Sequence, residues 1–544
     1  MLEGCVAWPE DFARRYREQG YWEDATLFEV LSHTAALFPD KLAVVDGTRR
    51  ISYAQLRDAV LRLATGLATL GLRPGERVIF QLDNSLELIV SFFALCRLGV
   101  IPVLALPAHR RTEIAHFARA SGAVALFIPD RVRNFDYREM AREVVALCPT
   151  LRQVIVSGQA EADQVALTML SESQAEGQAA MPLPKAGDVA LMLLSGGTTG
   201  LPKLIARTHA DYIYGSKQSA KVAGFGTDTV FLALLPIAHN YTLGAPGVLG
   251  TIACGGTTVV SPGTAAEVVF PLIEREGVSV LSAAVPLVAK WLGSDLFGRH
   301  DFATLKVFMN GGAKLVPELR QRVEEKFTCI YQESFGTAEG LLNMTRLYDP
   351  EHVRMNSSGR PVSDGDEIRI VDAAGNDLPD GRAGELLVRG PYTIRGYYNG
   401  SENNQKAFTA DGFYRMGDVV SKVDGNLYLE GRIKDLINRG GEKISSEEIE
   451  NHILAHPEIE SACVVAMPDP VFGEKACAFT ILRQNCALTL AQLLAFLQTR
   501  EIARFKMPER LEVVEEFPIS PAGKILRARL REAVAEKIQQ ETAL

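Results

Sequence analysis

Over residues 52–71 the apolar side chains Leu56, Val60, Leu63, Leu67 and Leu70 recur at alternating spacings of four and three, which puts them on one face of an amphipathic helix. Short apolar runs lie between such helical patterns: Arg77-Val78-Ile79-Phe80, Val124-Ala125-Leu126-Phe127-Ile128, Val154-Ile155-Val156 and Val230-Phe231-Leu232-Ala233-Leu234-Leu235. Strands alternating with helices predict mainly parallel sheets covered on both faces, an α/β fold. After Glu333 the pattern tightens into strand-and-turn units such as Glu367-Ile368-Arg369-Ile370-Val371 and Glu385-Leu386-Leu387-Val388-Arg389. These predict a small β-rich subdomain ending near Gly431. Beyond it, Ser445-Ser446-Glu447-Glu448 has the form of a helix N-cap, and Glu460-Ser461-Ala462-Cys463-Val464-Val465-Ala466 reads as a strand, so the remainder is a compact α+β domain. Residues 175–187, rich in Ala, Gln, Gly and Pro, read as a loop.

Size and charge narrow the picture. A chain of 544 residues exceeds what one hydrophobic core supports, so at least two domains are expected. The 57 Lys+Arg against 66 Asp+Glu give a net charge of −9, which offers no footprint for nucleic acid or an anionic membrane. The N-terminus lacks the outline of a secretory signal, and the most apolar stretch, residues 88–96, stops at Arg97, too short to span a bilayer. Eight cysteines show no Cys-x-x-Cys pairing and no metal-ligand spacing, as expected of reduced residues in a cytoplasmic protein.

The chemistry is concentrated in Ser195-Gly196-Gly197-Thr198-Thr199-Gly200-Leu201-Pro202-Lys203, directly after the apolar run Val189-Ala190-Leu191-Met192-Leu193-Leu194. Glycines allow close approach of backbone to ligand, and hydroxyls, amides and a lysine are the donors that polyphosphate oxygens need. It is not the standard P-loop, in which Lys directly follows the last Gly and Ser or Thr directly follows Lys. Here Leu201 and Pro202 intervene and Leu204 follows, which disfavours a P-loop NTPase.

The stretch resembles the phosphate-binding signature of the adenylate-forming superfamily. The resemblance continues in order through Phe335-Gly336-Thr337-Ala338-Glu339, Tyr414-Arg415-Met416-Gly417-Asp418, Gly431-Arg432-Ile433-Lys434-Asp435, Asn438-Arg439-Gly440-Gly441-Glu442-Lys443 and Pro521-Ala522-Gly523-Lys524. It implies a large N-terminal domain, residues 1–432, of two α/β subdomains plus a small β-barrel-like subdomain, followed by a mobile α+β C-terminal domain, residues 433–544. It implies ATP and Mg2+, with Ser195, Gly196, Gly197, Thr198, Thr199 and Lys203 on the phosphates. Gly311, Gly312, Ala313, Phe335, Gly336 and Thr337 would lie along the adenine side. Asp418 would accept from the ribose hydroxyls, a task for an acceptor-only carboxylate, with Arg432 beside it. Glu339 would be the metal ligand. Lys524 would reach the acid's carboxylate and the α-phosphate, and Lys434 would mark a hinge that later exchanges Lys524 for Gly440, Gly441 and Lys443 along a thiol channel. Ala338 stands where the family usually has Thr and brings no hydroxyl to that position.

The acid is read from Pro236-Ile237-Ala238-His239-Asn240-Tyr241, at the carboxyl end of a strand where a cleft is expected. Superfamily members that select amino acids place Asp at the position of Asn240, because a desolvated ammonium needs a charge partner. Neutral Asn240 suits a phenolic hydroxyl. His239-Asn240-Tyr241, with Ala245-Pro246-Gly247, is similar to the aryl-acid AMP ligases of siderophore synthesis, in which His239 would stand beside the acid's carboxylate; a histidine satisfied by backbone carbonyls is the equal alternative. Asn240, Tyr241, Ala245 and Ser334 would line the acid. Ala245 stands where dihydroxybenzoate enzymes tend to have Ser and salicylate enzymes Cys, and Ser334 stands where an aliphatic residue is typical. The expected activity is adenylation of a hydroxylated aryl acid, 2,3-dihydroxybenzoate favoured over salicylate or a hydroxypicolinate. Transfer to the phosphopantetheine thiol of a separate aryl carrier protein would follow. An aryl-CoA ligase and a non-catalytic nucleotide-binding scaffold are the rivals.

Overall fold

The computed structural model describes residues 2–172, 183–195, 202–440, 442–500, 502–520 and 524–542. Within them a nine-stranded sheet runs in the order Arg360–Pro361, Leu342–Met344, Ile330–Gly336, Val307–Gly311, Val280–Ala283, Val230–Ala233, Thr257–Val260, Leu42–Asp46, Arg49–Ser52. A seven-stranded sheet is centred on Val189–Leu194, Ile101–Leu104, Arg77–Phe80 and Ala125–Pro129. Inner strands of both sheets pair in parallel and are buried on both faces, as their unbroken apolar runs require.

The helix Tyr53–Thr69 forms where the periodicity placed it. Ser52 Oγ accepts from the Gln55 amide, the Gln55 side chain returns the bond to the Ser52 amide, and Leu56, Val60, Leu63 and Leu67 are all buried. Such a cap is worth about 1 kcal/mol, and each buried leucine about 1.5–3 kcal/mol, so packing rather than capping decides the helix.

The strand from Val230 stops at Ala233, two residues short of the end of its apolar run. The Asn84 side chain explains this: its amide donates to Leu235 O at 2.9 Å and its carbonyl accepts from Ile237 N at 2.7 Å. A side chain thereby takes the place of a neighbouring strand, and the chain turns into the 236–241 segment at the sheet's carboxyl edge.

The β-rich subdomain is a four-stranded antiparallel sheet, Glu367–Val371, Gly384–Arg389, Tyr414–Val423 and Asn426–Arg432. It ends at Arg432, a 3-10 turn spans Ile433–Asp435, and a new sheet begins with Leu436–Arg439. That sheet, built on the long hairpin Ile459–Asp469 and Gly473–Leu482, carries its own cores beneath Ser446–Leu454 and against Arg527–Thr542. The two parts meet through polar contacts, among them Arg500 to Glu318 at 2.8 Å. No helix among the described residues is long and apolar enough to cross a membrane, and all eight cysteines are free.

Candidate active site

Strands Val189–Leu194 and Leu204–Thr208 are antiparallel neighbours, so the segment joining them must reverse direction. Its neck is pinned by two bonds: Ser195 N donates to Lys203 O and Lys203 N donates to Ser195 Oγ, each at 2.9 Å. Gly196, Gly197, Thr198 and Thr199 lie outside the described residues. Lys203 Nζ stands 4.5 Å from the centre of the Tyr397 ring. The Tyr397 hydroxyl donates to Glu339 Oε1 at 2.8 Å and lies 3.3 Å from the Tyr414 hydroxyl. The phosphate-loop lysine and the candidate metal-binding carboxylate therefore share one tyrosine.

Arg207, which sequence reasoning missed, builds this corner. Buried in the apolar strand Leu204–Thr208, it donates through Nε to Asp211 Oδ1 at 2.7 Å and through its two Nη atoms to Ala338 O and Tyr392 O, each at 3.0 Å. Burial pushes the Asp211 carboxyl up while Arg207 pulls it down. The pair fixes the backbone on either side of Glu339, whose own carbonyl accepts from Ile394 N. Gly340 beside it has φ +142, and a Cβ there would stand 2.3 Å from Thr393 Cα. The one available signal was a charge inside an otherwise apolar strand.

On the nucleotide side, Asp418 faces Arg432 across the strand pair and accepts from Arg432 Nε at 3.0 Å. The carboxylate is buried, which raises its pKa against the pull of Arg432, and Oδ2 has no hydrogen-bond partner. An orphaned buried acceptor on a carboxylate is what ribose hydroxyls would satisfy. Gly311 ends the strand Val307–Gly311 and Gly312 and Ala313 bend away from it, with Asn310 Nδ2 donating to Ala313 O at 2.8 Å. Phe335 and Gly336 end the adjacent strand, and Thr337 Oγ1 donates to Gly340 O at 3.0 Å.

Three residues from distant parts of the chain converge on this cleft. Lys524, held in a turn by its amide to Ser520 Oγ at 3.1 Å, has its pKa lowered by enclosure and by Arg432 and Lys434, with Glu339 and Asp418 opposing. Lys434 is lowered by burial and by Arg432, and its carbonyl accepts from Arg531 at 3.1 Å. His239 caps the short helix Asn240–Gly244 by accepting the Tyr241 amide on Nδ1 at 3.2 Å. Its ring borders the cleft, reachable by solvent yet enclosed by protein, and burial together with the Lys524 charge pushes its pKa down to about 4. With Nδ1 accepting, the proton of the neutral ring sits on Nε2.

The candidate acid pocket adjoins these groups. Asn240 Oδ1 accepts from the Tyr212 hydroxyl at 2.8 Å, and the Arg207 guanidinium lies 5.0 Å from the Tyr212 ring. Tyr241 lies flush against Gly311, where a Cβ would stand 2.8 Å from Tyr241 Cζ. Ala245 is buried, and Ser334 pairs with Gly311 across the strands. Gly440 instead turns the hairpin between Leu436–Arg439 and Glu442–Ser445, donating to Phe472 O at 2.8 Å. Gly441 lies outside the described residues, as does the side chain of Lys443.

Among the described residues no group of three or more His, Cys, Asp and Glu side chains could hold a metal by itself. A single carboxylate such as Glu339 fits Mg2+ that arrives on nucleotide phosphates and keeps most of its ligands from phosphate and water.

Residues 31–398 match the AMP-binding enzyme family, and residues 448–524 match the AMP-binding enzyme C-terminal domain. The chain is 46% identical over 539 residues to 2,3-dihydroxybenzoate-AMP ligase of Bacillus subtilis (strain 168), covering 99% of both. It is 46% identical over 539 residues to pyochelin synthase PchD of Pseudomonas aeruginosa (strain UCBPP-PA14), covering 99% of this chain and 98% of that one. Among solved structures, the apo structure of Mycobacterium smegmatis MbtA aligns with a TM-score of 0.75 at 41% identity, covering 97% of this chain and 98% of the other. A loop neck pinned between Ser195 and Lys203, a buried carboxylate with a free oxygen and a cleft bordered by the C-terminal part thus occur in a sequence matched along nearly all its length, and the chain belongs to the AMP-binding enzyme family.

Proposed function

We propose that this enzyme activates a hydroxylated aryl acid with ATP, releasing pyrophosphate, and transfers the aryl group from the adenylate to the phosphopantetheine thiol of a separate carrier protein. 2,3-Dihydroxybenzoate is the favoured acid. The observation that carries this reading is Asn240, a neutral side chain whose carbonyl is held by Tyr212 beside the charged cleft. It leaves an amide donor for a phenolic oxygen and no counter-charge for an amino acid's ammonium. The name of the Bacillus subtilis relative at 46% identity, 2,3-dihydroxybenzoate-AMP ligase, supports it.

In this reading the acid's carboxylate attacks the α-phosphorus while pyrophosphate leaves. His239, neutral at working pH, donates from Nε2 to one carboxylate oxygen and orients the other for attack. Lys524 brings positive charge to the carboxylate and α-phosphate where negative charge gathers in the transition state. The free oxygen of Asp418 accepts from ribose, and Lys203 with the loop amides holds the outer phosphates. Glu339 would hold Mg2+, which supplies charge neutralisation for the departing pyrophosphate. We place the domain boundary between Arg432 and Ile433, with Lys434 in the hinge. Rotation there would withdraw Lys524 and admit the thiol beside Gly440, Gly441 and Lys443.

Mass spectrometry tests this reading. With ATP, Mg2+ and 2,3-dihydroxybenzoate the enzyme forms the aryl-adenylate, and adding a phosphopantetheinylated aryl carrier protein shifts the carrier by one dihydroxybenzoyl group. Formation of dihydroxybenzoyl-CoA with the carrier left unmodified would contradict the choice of thiol; absence of any aryl-adenylate would contradict the reading as a whole.

A further inference from the structure

Tyr397 is anchored through its own backbone before it meets any charge. Its amide donates to Asn404 Oδ1 at 2.8 Å, and its carbonyl accepts from Asn404 Nδ2 at 3.3 Å and from the Gly400 amide at 3.2 Å. A Cβ on Gly400 would stand 2.8 Å from Tyr397 Cβ, so only glycine lets this turn close. The ring rests against Phe408, with centres 6.2 Å apart, and Phe408 in turn meets Tyr414 at 5.3 Å. The result is a buried strut, 3% exposed, fixed in place by a local turn.

Two opposite charges meet this strut at different places. Lys203 Nζ stands 4.5 Å from the ring centre, over its face, while Glu339 Oε1 accepts from the hydroxyl at its edge at 2.8 Å. Because the one proton of that hydroxyl goes to Glu339, the Tyr414 hydroxyl, 3.3 Å away, is left to donate to it. Glu339 is itself buried, in a loop whose carbonyls at 338 and 339 are held by Arg207 and by the Ile394 amide. A buried carboxylate ordinarily draws a nearby cation into an ion pair, and a flexible lysine one ring away is such a cation. Here a phenol engages the carboxylate and an aromatic face engages the lysine. The attraction of an ammonium to a ring is weak beside contact with a phosphate oxygen, and a phenol leaves the carboxylate its negative charge. Both groups therefore stay available to an incoming polyphosphate and its metal.

We infer that Tyr397 is a positioning residue that keeps Lys203 and Glu339 from neutralising each other, so that the cation for the outer phosphates and the anion for Mg2+ both stand ready in the nucleotide-free enzyme. This rests on the reading of the cleft as an ATP site. The two parts of the side chain have separable tasks: the face holds the lysine and the hydroxyl sets the carboxylate.

Calorimetric titration of the enzyme with ATP, once with Mg2+ and once with EDTA, tests this in the wild type, Tyr397→Phe and Tyr397→Leu. Tyr397→Phe keeps the face, so metal-free affinity for ATP stays within about twofold of the wild type while the gain in affinity from Mg2+ falls about tenfold. Tyr397→Leu loses the face as well; Lys203 then closes on Glu339, and metal-free affinity also falls about tenfold. Adding Glu339→Gln to Tyr397→Leu removes the anion that captures the lysine and brings metal-free affinity back to within about twofold of the wild type, a rescue that a merely structural role for the tyrosine does not give. An undiminished Mg2+ gain in Tyr397→Phe, or no rescue in the double variant, overturns the inference and leaves the ATP site standing. Tyr397→Phe, the smaller change, decides the matter alone should the leucine variants fold poorly. ATP binding absent from the wild type under both conditions overturns the nucleotide reading as well.

Discussion

The candidate acid pocket and the charged cleft beside it are built on opposite plans. The pocket comes from one domain, from parallel strands and a short helix, and its polar atoms are neutral: Asn240, Tyr212, Tyr241, Ser334 and a histidine held uncharged. The cleft mixes Glu339 and Asp418 with Lys524, Lys434 and Arg432, drawn from both domains, and each positive group is enclosed among others of its sign. A pocket of neutral atoms selects by hydrogen-bond geometry and shape. On the function proposed above, a cleft of opposed charges would be complete only with triphosphate bound and the C-terminal domain docked, which would tie its chemistry to domain position.

Five outcomes would sharpen or break this contrast. The largest concerns Arg207, which touches both regions. Arg207→Met leaves Asp211 buried without its partner and is expected to cost about 3–5 kcal/mol of stability, read as a lower denaturation midpoint. An unchanged midpoint would show that the pair does not join the two regions. Next, Lys524→Ala should lower adenylate formation by about a hundredfold to a thousandfold, while a chemically prepared aryl-adenylate is still transferred to the carrier thiol. Equal loss in both half-reactions would mean that the lysine serves the fold rather than the first step.

Asp418→Asn keeps one acceptor and removes the charge facing Arg432. A roughly tenfold to hundredfold rise in KM for ATP is expected, with the acid's KM little changed; a matching rise for the acid would erase the division between the regions.

The pH profile of kcat/KM separates them further. His239 has a folded pKa of about 4, below the ordinary 6.5 of histidine, so it stays neutral as pH falls through 6.5 and charges only near 4. The acid limb should therefore lack a histidine break near 6.5. Lys524 is depressed, so the alkaline limb should fall before the ordinary lysine range near 10.5. A break near pH 6.5 that vanishes in His239→Gln would contradict the neutral pocket.

The smallest effect is at the domain interface. Glu318→Gln removes the ion pair with Arg500, which is partly exposed and worth less than about 1 kcal/mol. Adenylation should fall about twofold with thiol transfer unchanged or faster. Slower transfer would show that this contact does not favour the docked position.

Much of this was legible in local sequence. The motifs around Ser195 and Lys203, Lys524 and Lys434 are each contiguous in the chain, so the resemblance they carry can be read residue by residue. The helix Tyr53–Thr69 was visible in its period because one face is buried along its length. What escaped was made by tertiary contact. Arg207 gains its meaning from carbonyls at 338 and 392, and Tyr397 from meeting both Lys203 and Glu339. Ser282 meets Met309 only through strand register, and the early end of the Val230–Ala233 strand depends on Asn84, far away in the chain. Periodicity reports which face is buried, not which distant atom will complete it.

A neutral pocket beside a charged cleft fits the adenylation of an aryl acid. Exchange of labelled pyrophosphate into ATP tests it most directly, run in parallel with 2,3-dihydroxybenzoate, salicylate, 3-hydroxypicolinate, benzoate and a set of amino acids. Strong exchange is expected with hydroxylated aryl acids, 2,3-dihydroxybenzoate foremost, and none above background with amino acids. Exchange driven by an amino acid and absent with every aryl acid would contradict the reading of Asn240 and the account built on it.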